Sequence, residues 1–194
     1  MKRIVYLISV LAIVGITACE KEQTNTDTIP RAEFDAAIWN TNAAGLDYPV
    51  LVRKPIVGAR TPSTSFTLQR TSSTFYLRVN LVGPPTKSDR TVGLKLFDVP
   101  IYSVAFPETP ISQLPAFDAA ILATADAEPN KHFVLFGNPV RIPADSTWGD
   151  IRIIIMYQSA SSGVARTIGI ALDNTGDVKA SANYNKLAIA IDQR

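Results

Sequence analysis

The chain has 194 residues, with one cysteine, one histidine, 19 basic and 17 acidic side chains. Lys2 and Arg3 account for the whole formal charge of +2, and the remaining basic residues do not cluster, which argues against a nucleic-acid partner. A single cysteine excludes an internal disulfide, but a domain of this length buries roughly 70% of its unfolded-chain surface and needs no staple.

Lys2 and Arg3 form a short positive head before Ile4 to Ile16, a nearly unbroken apolar run interrupted only by Ser9 and Gly15. As a helix that run is about 20 Å long, against the ~30 Å hydrocarbon core of a bilayer. It has the layout of a secretory signal. It closes on Ile16-Thr17-Ala18-Cys19, which resembles the lipobox of bacterial lipoproteins. The resemblance implies that the Cys19 thiol takes a diacylglycerol, that the peptide is cut before it, and that the new amino group is acylated. Three acyl chains would hold the protein to a membrane, since stable anchoring needs more than one. The residues alone leave two other readings open: a chance thiol behind an ordinary signal peptide, and an uncleaved membrane anchor.

The expected organisation is a signal peptide at 1–18, a lipidated cysteine with a flexible tether at 19–30, and one β-sandwich domain at 31–194. Glu20 to Pro30 is polar and small and cannot bury a core. Its start, Glu20-Lys21-Glu22, is similar to the charged signal behind the lipidated cysteine of surface-exposed Bacteroidota lipoproteins. That similarity implies an outer-membrane location facing the cell exterior; a plain solvated linker is the alternative.

From Ala32 onward the apolar period is mostly two. Ala32, Phe34, Ala36 and Ile38 alternate with other residues, as do Phe66 and Leu68, then Phe75, Leu77, Val79 and Leu81. Val92, Leu94 and Leu96 follow, then Ile151, Ile153 and Ile155, then Ile168, Ile170 and Leu172, and last Leu187, Ile189 and Ile191. This is the signature of half-buried strands. Gly83-Pro84-Pro85 and Ser161-Ser162-Gly163 read as turns between antiparallel neighbours. The pattern points to an all-β fold, an immunoglobulin-like antiparallel β-sandwich of about seven strands. Asp98 to Pro115 departs from it, with Pro100, Pro107, Pro110 and Pro115 among apolar residues; it reads as a long loop because proline cannot donate to a sheet ladder. Leu114 to Ala127 has helix formers after a proline and is a candidate short helix.

Several segments of the second half resemble uncharacterised Bacteroidota lipoproteins with an immunoglobulin-like or Calx-β-like domain behind a lipobox. Leu81-Val82-Gly83-Pro84-Pro85 with Ser88-Asp89-Arg90-Thr91-Val92 is similar to a strand, turn and Asp-Arg strand start of those proteins. Ala125 to Phe133 is similar to their Ala-x-x-Gly-x-His-Tyr segment, though longer and without the glycine. Ile142-Pro143-Ala144-Asp145 before Ile151-Arg152-Ile153, and the closing Tyr184 to Ile191, also fit. The resemblance covers roughly Phe66 to the C-terminus. It implies a surface β-sandwich, often alongside polysaccharide-uptake machinery, and no catalytic residues. Where calcium-binding relatives have Asp-Tyr this chain has His132-Phe133, which puts calcium in doubt.

The residues themselves suggest no enzyme, cofactor or metal site. His132 is the only possible imidazole base and reads as a strand-start histidine bonded to backbone. No nucleophile elbow, metalloprotease, Walker or dinucleotide motif occurs. A glycosidase pair of carboxylates depends on separation in space, which sequence does not supply. Asp173-Asn174-Thr175-Gly176-Asp177 is oxygen-rich but lacks the ligand run and closing Glu of an EF-hand, and reads as an inter-strand turn. Trp148, in the turn-rich Ala144 to Asp150, is the first candidate for ligand binding, because an exposed indole stacks on sugar rings and anchors partners; the alternative is that it folds back over the end of the sandwich. Tyr102 and Phe106 are second candidates. Trp39 reads as packing, and Gly45 and Tyr48 as turn and strand residues. The expected function is a non-catalytic binding module, with glycan or an outer-membrane protein partner as ligand. A structural subunit is the alternative. Glycan binding would require exposed aromatics side by side with polar neighbours, and partner binding a contiguous apolar patch.

Overall fold

Side chains alternate in and out along the longer strands, as a pleated chain requires. In β11 (Trp148–Ile155), Ile151, Ile153 and Ile155 are enclosed while Asp150 and Arg152 face water. In β5 (Ser73–Val82), Leu77, Val79 and Leu81 point in and Tyr76 points out. These strands pair antiparallel along the whole of β11. The computed structural model describes residues 29–35, 46–60, 66–106, 120–158 and 164–193.

β1 (Arg31–Phe34) and β13 (Lys179–Ala180) extend this sheet beyond β5, and β9 (Phe133–Phe136) extends it beyond β11, giving the order β13-β1-β5-β11-β9. The second sheet runs β10 (Val140–Ile142), β6 (Arg90–Phe97), β12 (Val164–Asp173), β14 (Lys186–Asp192), β2 (Val50–Arg53). β8 (Ala120–Asp126) also pairs with β12, and β7 (Ser103–Phe106) with β8. A separate hairpin joins β3 (Ile56–Arg60) to β4 (Phe66–Arg70).

The main core lies between the two sheets. Leu77, Val79, Ile151 and Ile153 from one meet Ile168, Ile170, Leu187, Ile189 and Ile191 from the other. The seven-stranded sheet is covered on its far side too. Along β14, Leu187, Ile189 and Ile191 enter the main core while Ala188 and Ala190 enter a second one, with Val50, Val99, Val104 and Leu122. Small alanines on that side let β7, β8 and the 98–102 segment approach closely. The five-stranded sheet has no second core among the described residues, so its outer face is the one that meets water.

β12 changes partner along one edge. Its first half, Val164–Thr167, runs parallel to β8, and Gly169–Asp173 runs antiparallel to β6. At the handover a Cβ on Gly169 would stand 2.3 Å from the Phe97 carbonyl oxygen, so only glycine fits. A shallow recess of about 200 Å³ opens at this fork, with Asp98 and Asp126 among its lining residues.

The all-β sandwich expected from the sequence is present, and it is larger than about seven strands. Fourteen strands occur among the described residues. Elements as short as Val140–Ile142 and Lys179–Ala180 hold too few residues for an alternation to register. The sandwich is also not purely antiparallel, because β1–β13, β8–β12 and β2–β14 are parallel pairs. Gly83-Pro84-Pro85 does not close a hairpin: β5 and β6 belong to different sheets, so the segment is a corner between layers. The chain crosses layers again between β11 and β12, where Ser161-Ser162-Gly163 lies outside the described residues.

Two further expectations are corrected. Ser103–Phe106, inside the proline-rich stretch, is a strand whose only partner among the described residues is β8, a place where nearby proline is tolerated. Ala120–Asp126 is a strand and not part of a helix. Pairing with β12 and burial of Leu122 and Thr124 outweigh the helix preference of its alanines. Cys19, Ala36, Ile38, Trp39, Gly45, Pro107, Pro110 and Pro115 lie outside the described residues.

Candidate functional site

The outward positions of β5, β11 and β9 build the candidate site. The register places Trp148 beside Asn80, Asp150 beside Arg78, and Arg152 beside both Tyr76 and Phe136. The next row sets Ile154 between Thr74 and Val134. β1 brings Glu33 beside Asn80, and burial next to Asp35 raises the Glu33 pKa above the usual carboxylate value. Trp148 is 40% exposed, Phe136 40% and Tyr76 62%. Three aromatic rings on neighbouring strands therefore reach solvent from one rigid surface, with charged and amide groups between them.

Two of those rings carry a guanidinium. Arg78 lies over Trp148, with its Cζ 4.2 Å from the ring centroid, and Arg152 lies over Phe136 at 4.1 Å. Asp150 stands directly opposite Arg78 in the register, yet the guanidinium takes the indole. The choice is energetically close: an exposed cation–π contact contributes about 0.5–1 kcal/mol, and an exposed ion pair about 0–1 kcal/mol. What separates the two is what remains free afterwards. A contact over the ring leaves the terminal N–H groups of the guanidinium without a protein acceptor. The Arg78 Nε is enclosed and has no hydrogen-bond acceptor.

Trp148 is held by a corner built from the motif residues of the sequence. Asp89 Oδ1 accepts the Ala144 N–H at 2.9 Å, and its Oδ2 accepts from Arg141 Nε at 2.8 Å. These contacts, the backbone one first, hold the Asp89 pKa below its usual value. Asp145 adopts a left-handed φ of 60°, which Asp tolerates better than most residues, and its N–H donates to Thr86 O at 2.8 Å. Lys87 also pairs with Asp145 at 2.8 Å, but both side chains are largely exposed, so the backbone bonds hold the corner more than this ion pair does. Beyond it, Ser146 Oγ donates to the Trp148 carbonyl at 2.8 Å and accepts the Trp148 N–H at 3.1 Å. Leu81 N–H donates to Thr147 O at 2.7 Å. Ser88-Asp89-Arg90 and Ile142-Pro143-Ala144-Asp145, distant in sequence, thus join two corners and fix the start of β11.

The sequence candidates do not all come together. Tyr102 packs against the second core, on the opposite outer side of the sandwich. Its hydroxyl is enclosed without a partner, and burial with the neighbouring Tyr48 raises its pKa. Tyr48 is itself buried, in edge-to-face contact with Phe97 at 5.2 Å. Phe106 ends β7, and its side chain lies outside the described part. Tyr76, Arg78, Phe136 and Arg152 were not singled out by the sequence. The available signal was parity: each occupies the outward phase of a strand whose inward phase is large and apolar.

Possible chemical groups elsewhere are engaged locally. His132 is buried, and its Nδ1 accepts the Glu128 N–H at 2.9 Å. Asp173 Oδ1 accepts from the Thr175 N–H at 2.9 Å, and Asp177 Oδ2 from the Thr91 N–H at 2.9 Å. Asn174 Oδ1 accepts the Ala180 N–H at 3.0 Å. The oxygen-rich turn therefore ties its own backbone and the start of β6. Among the described residues no three His, Cys, Asp or Glu side chains gather as a metal site would need, and no helix is long and apolar enough to cross a membrane.

No protein-family model matches the chain, and no curated protein matches it. Among solved structures it is similar to a candidate carbohydrate-binding protein from Bacteroides ovatus, with a TM-score of 0.47 and 8% identity over 84% of this chain and 36% of that one. It is also similar to a protein of unknown function from Bacteroides ovatus, with a TM-score of 0.46 and 11% identity over 84% of this chain and 52% of that one. The chain thus spans about a third of the length of the first and half of the second.

His132 makes stability depend on pH. Burial first, then the Arg166 charge, lowers its pKa below 6.5, and protonating Nδ1 would set a proton against the Glu128 N–H. The unfolded chain therefore takes up a proton near pH 6.5 before the folded one does, so stability is full above that pH and falls as pH drops below it. Urea unfolding at pH 7 and pH 5.5 should show a lower midpoint at pH 5.5, and His132→Asn, whose amide oxygen can accept the same N–H, should shrink the difference.

Proposed function

We propose that this protein is a non-catalytic glycan-binding module, held by lipid on Cys19 to the outer membrane and facing the cell exterior. The observation that carries the binding reading is the open face of the five-stranded sheet, where Trp148, Tyr76 and Phe136 are exposed with Arg78, Asn80, Asp150 and Arg152 between them. Sugar rings present C–H faces to aromatic rings and hydroxyls to their flanks, and this face offers both kinds of contact. A protein partner would find the apolar area interrupted by charge in every row from Trp148 to Phe136. The absence of catalysis is supported by the enclosed His132, whose Nδ1 is already engaged. The anchor rests on Ile16-Thr17-Ala18-Cys19.

Affinity electrophoresis through gels containing polygalacturonate, alginate, galactan or dextran tests the binding. The protein should be retarded by at least one of them, and Trp148→Ala and Tyr76→Ala should each weaken that retardation about tenfold, the scale of an aromatic hot spot. Retardation by none of the four, or by one of them with both variants unchanged, contradicts the reading. For the anchor, Cys19→Ser should move the protein from the detergent phase to the aqueous phase in detergent partitioning. Unchanged partitioning contradicts lipidation.

A further inference from the structure

We propose that the ligand of this face is a polyuronate, a polysaccharide carrying one carboxylate on most of its sugars; this rests on the glycan-binding reading above. Arg78 and Arg152 are the residues that point to it. Among the described residues neither Arg78 nor Arg152 forms an ion pair or donates a hydrogen bond to the protein, and each guanidinium lies over an exposed ring. A guanidinium without a protein acceptor keeps planar N–H donors that match the two oxygens of a carboxylate. The Arg78 Nε is itself enclosed, so the donors that this side chain can offer a carboxylate are its terminal nitrogens.

The placement of the arginines selects a polymer. Arg78 faces Asp150, two residues from Arg152 on β11, so the two backbones are diagonal neighbours about 7–8 Å apart. The side chains then diverge, one toward Trp148 and the other toward Phe136. A single sugar meets one guanidinium; a chain laid across β5, β11 and β9 meets both and covers Tyr76 between them. The local charge argues for a singly charged repeat over a heavily sulfated one. Asp150 stands between the two arginines on β11, and Glu33 lies one strand further out beside Asn80. The face is thus not a strongly positive field, and it suits a ligand whose charges are spaced and directed, not dense. Asp150 has no ion pair among the described residues and stands in register opposite Arg78 and two residues from Arg152, so it opposes an anionic ligand.

The test compares polygalacturonate and alginate with their methyl-esterified forms, which keep the chain and remove the charge, using the full protein in affinity gels at low salt. Dextran and dextran sulfate serve as neutral and sulfated probes. Retention by a polyuronate should be at least tenfold stronger than by its ester and should weaken in 0.5 M salt, on the order of a 4 Å screening length. Arg152→Gln should weaken it about tenfold, the scale of a lost charge-assisted contact, and Asp150→Asn should strengthen polyuronate retention about threefold while leaving dextran retention unchanged. Circular dichroism confirms that both variants keep the strand spectrum. Equal retention by acid and ester, or by neutral dextran alone, overturns the polyuronate assignment and leaves the glycan-binding reading standing. Retention by dextran sulfate without retention by either polyuronate overturns it in favour of sulfate. An Asp150→Asn variant with unchanged polyuronate retention also overturns it. Retention by none of the probes overturns both readings.

Discussion

Burial of β14 on both faces is the constraint on which the rest of the molecule depends. Its large residues, Leu187, Ile189 and Ile191, fill the space between the sheets, and Ala188 and Ala190 admit a second layer on the other side. Each large side chain contributes about 1.5–3 kcal/mol by leaving water, and a slip by one residue would force Leu and Ile into the space that fits Ala188 and Ala190 and leave alanines in the main core. One sheet is therefore interior. Among the described residues the other is covered on its inner side only, and its outer positions are released from packing. The aromatic and charged residues of β5, β9 and β11 occupy positions that the core does not need.

A surface of this kind binds well only if it is stiff. Strands β5 and β11 are paired along the whole length of β11, and the end that carries Trp148 is fastened by hydrogen bonds to backbone groups, from the side chains of Asp89 and Ser146 and the main chain of Thr86 and Leu81. The rings are also braced by the arginines that lie on them. Little ordering entropy is left to be lost when a ligand arrives, which is how a flat face without a deep pocket can still hold a chain molecule. In the proposed binding role the corner motifs act indirectly, by setting where the indole stands.

The sequence carried the strands whose inward residues are large and repeat over several positions. Ile151, Ile153 and Ile155 were legible for that reason, as were Leu187, Ile189 and Ile191. It did not carry the partners of those strands. Gly83-Pro84-Pro85 has the residues of a hairpin turn and yet crosses between layers, because pairing is decided by contacts far apart in the chain. Tyr102 follows Pro100 and looks like a loop residue, but its backbone bonds to Thr124 and its ring joins the second core. The space it fills is set by the alanines of β14, more than eighty positions away. Trp148 was legible from its turn-forming neighbours. Arg78 and Phe136 were not, because each gains its meaning only when the registers of β5, β9 and β11 set it beside a ring or a charge.

The proposed working surface lies on one side of the sandwich, and nitrogen-detected NMR during titration with oligogalacturonate reads that placement most directly. The Trp148 indole and the Arg78 and Arg152 Nε resonances should shift together with saturable curves, while the amides of Thr124 and Val104 on the opposite side stay in place. Shifts confined to the β7–β8 side, with Trp148 and both arginines unmoved, would contradict it.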